Sequence, residues 1–251
     1  MIARELPNDR LLAEIRRRRV AIIPIGSTEQ HGRHLPVSTD SEIVAFIARK
    51  VSERTGFLTM PTIECGVSAE HHPYFNLSTT PRALEDYVTE ICRSLGKNGV
   101  GAVVILNGHH GNQDALRAVP ARVARGRAGP KVVVYSYWHF MKGRFDHAGF
   151  VETSIMRAIS RRVNMGRAQK GLVEEDYTRE ELSRLGRIAS RSFVAATKNG
   201  VWGDPRGATA AEGRRIISEV VGSIAKESLT WFKGKKAASR RHRIGAGKKA
   251  R

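Results

Sequence analysis

Cysteine is nearly absent: Cys65 and Cys92 are the only two in 251 residues. That excludes a disulfide framework, and neither has a second cysteine close enough for a zinc ribbon. A reducing, cytoplasmic setting is therefore expected. Long apolar runs are missing too. None reaches the roughly 18 residues of a membrane-spanning helix, so no membrane partner is expected. The opening "MIARELPNDRLLAEIRRRRVAII" has a helix-like charged pattern, unlike a signal peptide. The GxGxxG and phosphate-loop patterns are missing, which leaves nucleotide-dependent phosphoryl transfer without support. GxSxG is missing as well. Ser68, in "ECGVSAEHH", has His71 and His72 nearby, but no strand-to-helix elbow frames it as a nucleophile. Acids are scarce, 24 Asp and Glu against 43 Lys and Arg, for a net charge of +19.

About half of that excess is local. The last nineteen residues, "KGKKAASRRHRIGAGKKAR", hold nine Lys and Arg and no acid. Such a segment cannot bury enough apolar surface to order itself, so 233–251 is expected to be a disordered, basic tail. It could hold nucleic acid weakly through counterion release, in a salt-sensitive way. The remaining 1–232 is long enough for one domain with a real core. Its composition, 41% hydrophobic and 27% charged overall, is globular.

Strand and helix signals alternate along it. "VAIIPI" (20–25), "FLTMPTI" (57–63), "VGAVVILN" (100–107) and "KVVVYSYW" (131–138) are apolar runs of strand length. Helical patterns fall at 7–18, 40–56, 78–99, about 112–125, from Glu152, and over 207–232. Asp40 is expected to cap the second helix. Thr80 and Pro81 open the third. Continuous apolar strands between helices predict an α/β fold, a mainly parallel sheet covered on both faces. In such sheets the ligand sits beyond the carboxyl ends of the strands.

Three polar clusters lie after strands: "GSTEQHGRHLPVSTD" (26–40), "NGHHGNQD" (107–114) and "FDHAGFVETS" (145–154). Together they offer Glu29, His31, Asp40, His109, His110, His147 and Glu152. Imidazoles mixed with carboxylates suit Zn, Mn or Fe(II). So many ligands around one place suggest two divalent metal ions sharing a bridging carboxylate. A basic nucleic-acid-binding protein without hydrolase activity is the competing class. These clusters argue against it, because His, Glu and Asp do not serve phosphate contact.

"IPIGSTEQHGRHLPVSTD", "NGHHGN", "HAGFVETS" and "GDPRGATAAEG" (203–213), in this order, resemble the creatininase (creatinine amidohydrolase) family over roughly 20–230. The resemblance implies a three-layer α/β/α sandwich, two divalent metals per subunit, hydrolysis of a C–N amide bond of a small molecule, and a homo-oligomer, commonly a hexamer. It assigns Glu29 to one metal, His31 to the other, and Asp40 to the bridge. His109 is the histidine of the Asn-Gly-His signature and His147 the proton-shuttling one, with Glu152 at the family's spacing. The sequence departs from creatininase at Gly111, where a glutamate ligand would stand. Glu152 is the expected replacement, with His110 second. Gly143 and Arg144 stand where creatininase has Trp-Asp, so the creatinine pocket is not matched.

Candidate substrate contacts are Ser68, His110, Arg33, Arg144 and Arg206. One branch of the family deformylates a formylamino-pyrimidine ribonucleotide of flavin and deazaflavin biosynthesis. On that reading, the three arginines would clamp its phosphate. The alternatives are conversion of creatinine to creatine and cleavage of a redox-cofactor precursor peptide.

Overall fold

A computed structural model describes residues 1–126 and 129–233. The basic tail beyond Lys233 lies outside the described residues. Helix α1 (Asn8–Arg18) leads into β1 (Val20–Ile25), α2 (Thr39–Thr55) and β2 (Leu58–Thr59). Then come α3 (Pro81–Lys97), β3 (Ala102–Asn107), α4 (Gln113–Ala124) and β4 (Lys131–Ser136). Helices α5 (Phe150–Ile159), α6 (Arg179–Ala189), α7 (Phe193–Thr197) and α8 (Ala210–Phe232) complete the order.

The four strands form one parallel sheet in the order β2-β1-β3-β4. Their carboxyl ends therefore share one edge. Each strand's side chains alternate between two apolar cores, as the two-residue period of a pleat requires. Val20, Ile22, Val104 and Leu106 face α2, α5 and α8. Ala21, Ile23, Ile25, Val103 and Ile105 face α1, α3 and α4. This is an α/β/α sandwich. Ile22, Ile23 and Ile25 are sealed from solvent, and such burial stabilises by about 1.5–3 kcal/mol per side chain.

Several elements differ from expectation. The second strand is cut to Leu58–Thr59. Pro61 has no N–H to give, and pairing returns only as the single bridge between Ile25 and Ile63. The strand expected over 131–138 stops at Ser136, where Tyr137–Phe140 turn into a 3-10 helix. Asp40 is not a cap but the second residue of α2, behind Ser38. Helix α5 opens at Phe150, before Glu152. The Asp146 carboxylate accepts the N–H groups of Val151 (2.8 Å) and Glu152 (3.3 Å) there. Helices α6 and α7 occupy a stretch in which the sequence reading placed no element. Thr178 and Glu181 form a capping box at the start of α6. Among the described residues no helix is long and apolar enough to cross a membrane.

Candidate metal centre

All three predicted clusters converge at the carboxyl edge of the sheet. The loop after β1 delivers Glu29 and His31, and the first turn of α2 delivers Asp40. The loop after β3 delivers His109, and the start of α5 delivers Glu152. Each of these five side chains is buried.

Hydrogen bonds to backbone carbonyls orient the imidazoles. His31 Nδ1 is 3.0 Å from the Glu29 carbonyl oxygen, an acceptor only, so Nδ1 carries the proton. Nε2 then faces Asp40 Oδ1 at 3.1 Å and Glu152 Oε2 at 3.6 Å. His109 Nε2 donates to the Val67 carbonyl at 2.7 Å, which turns Nδ1 toward Asp40 Oδ2 at 3.0 Å. Asp40 thus gives one oxygen to each imidazole. Such outer hydrogen bonds set tautomer and ring angle in metal sites.

Glu29, Asp40 and His109 bring one ligand atom each within 4.8 Å of one another, and so do His31, Asp40 and Glu152. Asp40 belongs to both sets. Glu29, His31 and His147 make a third. The donor set suits a divalent cation, and the buried Asp40 Oδ2 has no hydrogen-bond donor among the described residues, since it faces the Nδ1 of a His109 ring whose Nε2 carries the proton. An anionic oxygen buried without a donor is costly, and cations held between the two sets would satisfy it.

The electrostatics agree. Burial would lower the pKa of His31, but Asp40 and then Glu152 raise it to about 10. His109 likewise rises to about 10, against burial, through Glu29 and Asp40. Burial would raise the Asp40 carboxyl, yet His31 and His109 hold it well below the usual range. Burial lifts Glu29 to about 7 and Glu152 well above its ordinary value. Protons on the imidazoles do here what cations would do better.

Gly111 has no room for the glutamate that creatininase carries there. A Cβ would lie 2.2 Å from the Val67 carbonyl oxygen and 2.5 Å from His109 Nε2. Of the two substitutes considered, the fold brings Glu152 to His31 and Asp40, where Ala148 N–H fixes its carboxylate at 2.6 Å. His110 stays apart, stacked on Trp138. His34, in the same opening stretch, turns away to Thr153 Oγ1 at 2.9 Å.

A cavity of about 340 Å³ opens onto the centre, walled by Glu70, His110, Phe145, Phe193 and Trp202. His147 lines it, and burial, then His31 and His71, hold its pKa well below the ordinary value. The three arginines named as a phosphate clamp do not line this cavity. Arg144 pairs with Glu174 at 2.9 Å and Arg206 with Asp204 at 2.7 Å, each taken by a nearer carboxylate. Arg33 is exposed beside Tyr74 and Phe75 in a separate depression. Ser68 is buried outside the cavity wall.

The sequence names His71 only as a neighbour of Ser68, not as part of the metal centre. It is buried, with Nε2 at 3.1 Å from Glu29 Oε1 and its ring stacked on Phe193 at 4.8 Å. Its signal was present: it follows β2, whose carboxyl end shares the edge with the other three.

The family model described as "Creatininase: Creatinine amidohydrolase" matches residues 5–227. The mycofactocin precursor peptide peptidase of Mycobacterium tuberculosis is 37% identical over 228 residues, covering 84% of this chain and 85% of that protein. The 2-amino-5-formylamino-6-ribosylaminopyrimidin-4(3H)-one 5'-monophosphate deformylase of Methanothermobacter marburgensis is 35% identical over 100 residues, 38% of this chain and 42% of that protein. A solved mutant creatininase of Zn-Zn type superposes with a TM-score of 0.77 at 25% identity, over 92% of this chain and 97% of that one. A creatininase solved with Mn superposes equally well, with a TM-score of 0.77, at 23% identity over 92% of this chain and 98% of that one. The match of the family model, the shared fold and the two ligand sets at the sheet edge lead to one conclusion: the chain belongs to the creatininase family.

Proposed function

We propose that this chain is a two-metal hydrolase that cleaves a C–N amide bond in a peptide-like substrate. The observation that carries the reading is Asp40, whose oxygens divide between His31 and His109. Glu29, Asp40 and His109 would hold one cation, and His31, Asp40 and Glu152 the other. Bound there, two such cations would supply an acidified water and a polarised carbonyl oxygen.

The protein's own groups do the rest. His147, kept neutral by burial, takes a proton from the attacking water and returns it to the departing nitrogen, which is otherwise a poor leaving group. Glu152 keeps its place through the N–H of Ala148. Phe145, Phe193 and Trp202 give the cavity an aromatic wall.

Two observations favour a peptide amide over the formylamino-pyrimidine ribonucleotide. Likeness to the peptidases extends over 84% of the chain, against 38% for the deformylase. Among the described residues no Lys or Arg lines the cavity, and Glu70 stands in its wall. A phosphate would enter there without a counter-charge.

Protein reconstituted with Zn or Mn, offered short unblocked peptides, creatinine and the formylamino-pyrimidine ribonucleotide, decides the matter by mass spectrometry of the products. Peptide turnover is expected. Turnover of creatinine or the ribonucleotide alone overturns the substrate class. Turnover of none overturns the hydrolase.

A further inference from the structure

Gln30 lies between the predicted ligands Glu29 and His31 and points elsewhere. Its side chain is buried, 6% exposed. Oε1 accepts the N–H of Gly32 at 3.0 Å, so the amide orientation is determined. Nε2 has three neighbours: the Gly200 carbonyl oxygen at 3.1 Å, His71 Nδ1 at 2.9 Å and His147 Nε2 at 3.2 Å. A carboxamide nitrogen carries two hydrogens. One goes to Gly200, whose oxygen can only accept. The second can serve one imidazole.

His147 Nε2 is also 3.2 Å from the main-chain carbonyl oxygen of Gln30, again an acceptor only. A proton on His147 Nε2 satisfies that contact and removes His147 from competition for the amide hydrogen. His71 Nδ1 then accepts it. In the reverse arrangement His71 Nδ1 would need an acceptor and find none at the Gln30 amide nitrogen. Only one assignment gives every partner what it needs.

We infer that Gln30 is a positioning residue which holds His71 and His147 in their Nε2–H tautomers and aims His147 Nδ1 at the centre. Nδ1 of His147 lies 3.9 Å from Glu29 Oε1, an oxygen of the ligand cluster. His71 Nε2–H is left facing Glu29 Oε1. One side chain thus determines which nitrogen of the proton carrier is free. The close fit depends on Gly200. Its φ is +77° and a Cβ there would sit 2.0 Å from Gln30 Oε1, so any larger residue would displace the amide.

The tautomers are independent of substrate. Their effect on rate rests on the role proposed above for His147.

The test is long-range proton–nitrogen NMR of the Zn-loaded protein with 15N-labelled histidine, with His71 and His147 assigned through single His→Gln variants. Both rings are expected as Nε2–H. In Gln30→Met, which keeps the length but has no N–H, the two signals should lose that uniform tautomer. The kcat on whichever amide the wild type hydrolyses should fall by about 10–100-fold, the usual worth of an outer hydrogen-bond partner, with KM and metal content unchanged. His147 protonated on Nδ1 in the wild type overturns the inference. So does Gln30→Met with unaltered signals. Should Gln30→Met not fold, the wild-type spectrum alone still decides. If the tautomers are as stated but His147→Ala keeps its rate, the functional reading fails and the tautomer assignment stands.

Discussion

His31 Nε2 and Asp40 Oδ1 stand 3.1 Å apart with both side chains sealed from water. The contact joins the loop after β1 to the first turn of α2. Asp40 repeats it with its other oxygen on His109, at 3.0 Å. Removal of Asp40 therefore strikes both ligand sets at once. Asp40→Ala should lose both cations by mass-spectrometric metal analysis, whereas Glu29→Ala should lose mainly one. Equal metal content in wild type and Asp40→Ala would refute the shared carboxylate.

His147 touches the centre without belonging to the two sets that share Asp40. His147→Ala should keep its metal while kcat falls by about 10²–10⁴, the range of acid–base assistance. Parallel metal analysis and kinetics check this. A variant emptied of metal would make His147 a ligand, as its grouping with Glu29 and His31 permits.

Gly111 offers a test in the opposite direction. Gly111→Ala puts a methyl against the Val67 carbonyl and His109 Nε2. Overpacking of this kind costs about 1–3 kcal/mol. Thermal unfolding should report that loss, with weaker metal retention because His109 is pushed off the Val67 oxygen. Gly111→Glu should not restore a ligand. A Gly111→Glu protein with raised metal affinity would show that the loop yields.

Metal-free protein should lose stability as pH rises above 7. His31 and His109 have folded pKa values raised to about 10. Their contribution is complete below the unfolded value of about 6.5 and disappears as pH climbs through about 10. Glu29, raised to about 7, has already lost its own contribution by then. Cations need the deprotonated ligands, so added Zn should restore stability most at the alkaline end. Melting temperatures with and without chelator, from pH 7 to 10, check the sign. A metal-free protein that gains stability over that range would contradict it.

Deletion of 233–251 should leave metal content and amide hydrolysis intact. Nine Lys and Arg are removed with it. Retention on single-stranded RNA at low salt should therefore fall, with a shallower salt dependence. Lost hydrolysis would give the tail a part in the site.

Much of the site could be read from the chain because its ligands follow strands. Apolar runs separated by helices imply parallel strands, and parallel strands send their exits to one edge. Glu29, His31, Asp40, His109, His110, His147 and Glu152 are gathered that way from the sequence alone. His71 escaped because it lies well past the strand, in a loop that reads as irregular and offers no carboxylate motif beside it. Gln30 sits inside the first motif but carries no charge and is no metal ligand, and its importance lies in three partners at positions 71, 147 and 200.

The sequence by itself determined the alternation of strand and helix, the ligand types, and the basic tail's composition. Only the tertiary structure decided which carboxylates Arg144 and Arg206 meet, how little clearance position 111 leaves, and which ring nitrogens face the centre. The physical reason is range. Periodicity and ligand chemistry act within a dozen residues. A hydrogen bond's partner, a cavity's charge and a Cβ's clearance depend on atoms that folding brings together from distant parts of the chain.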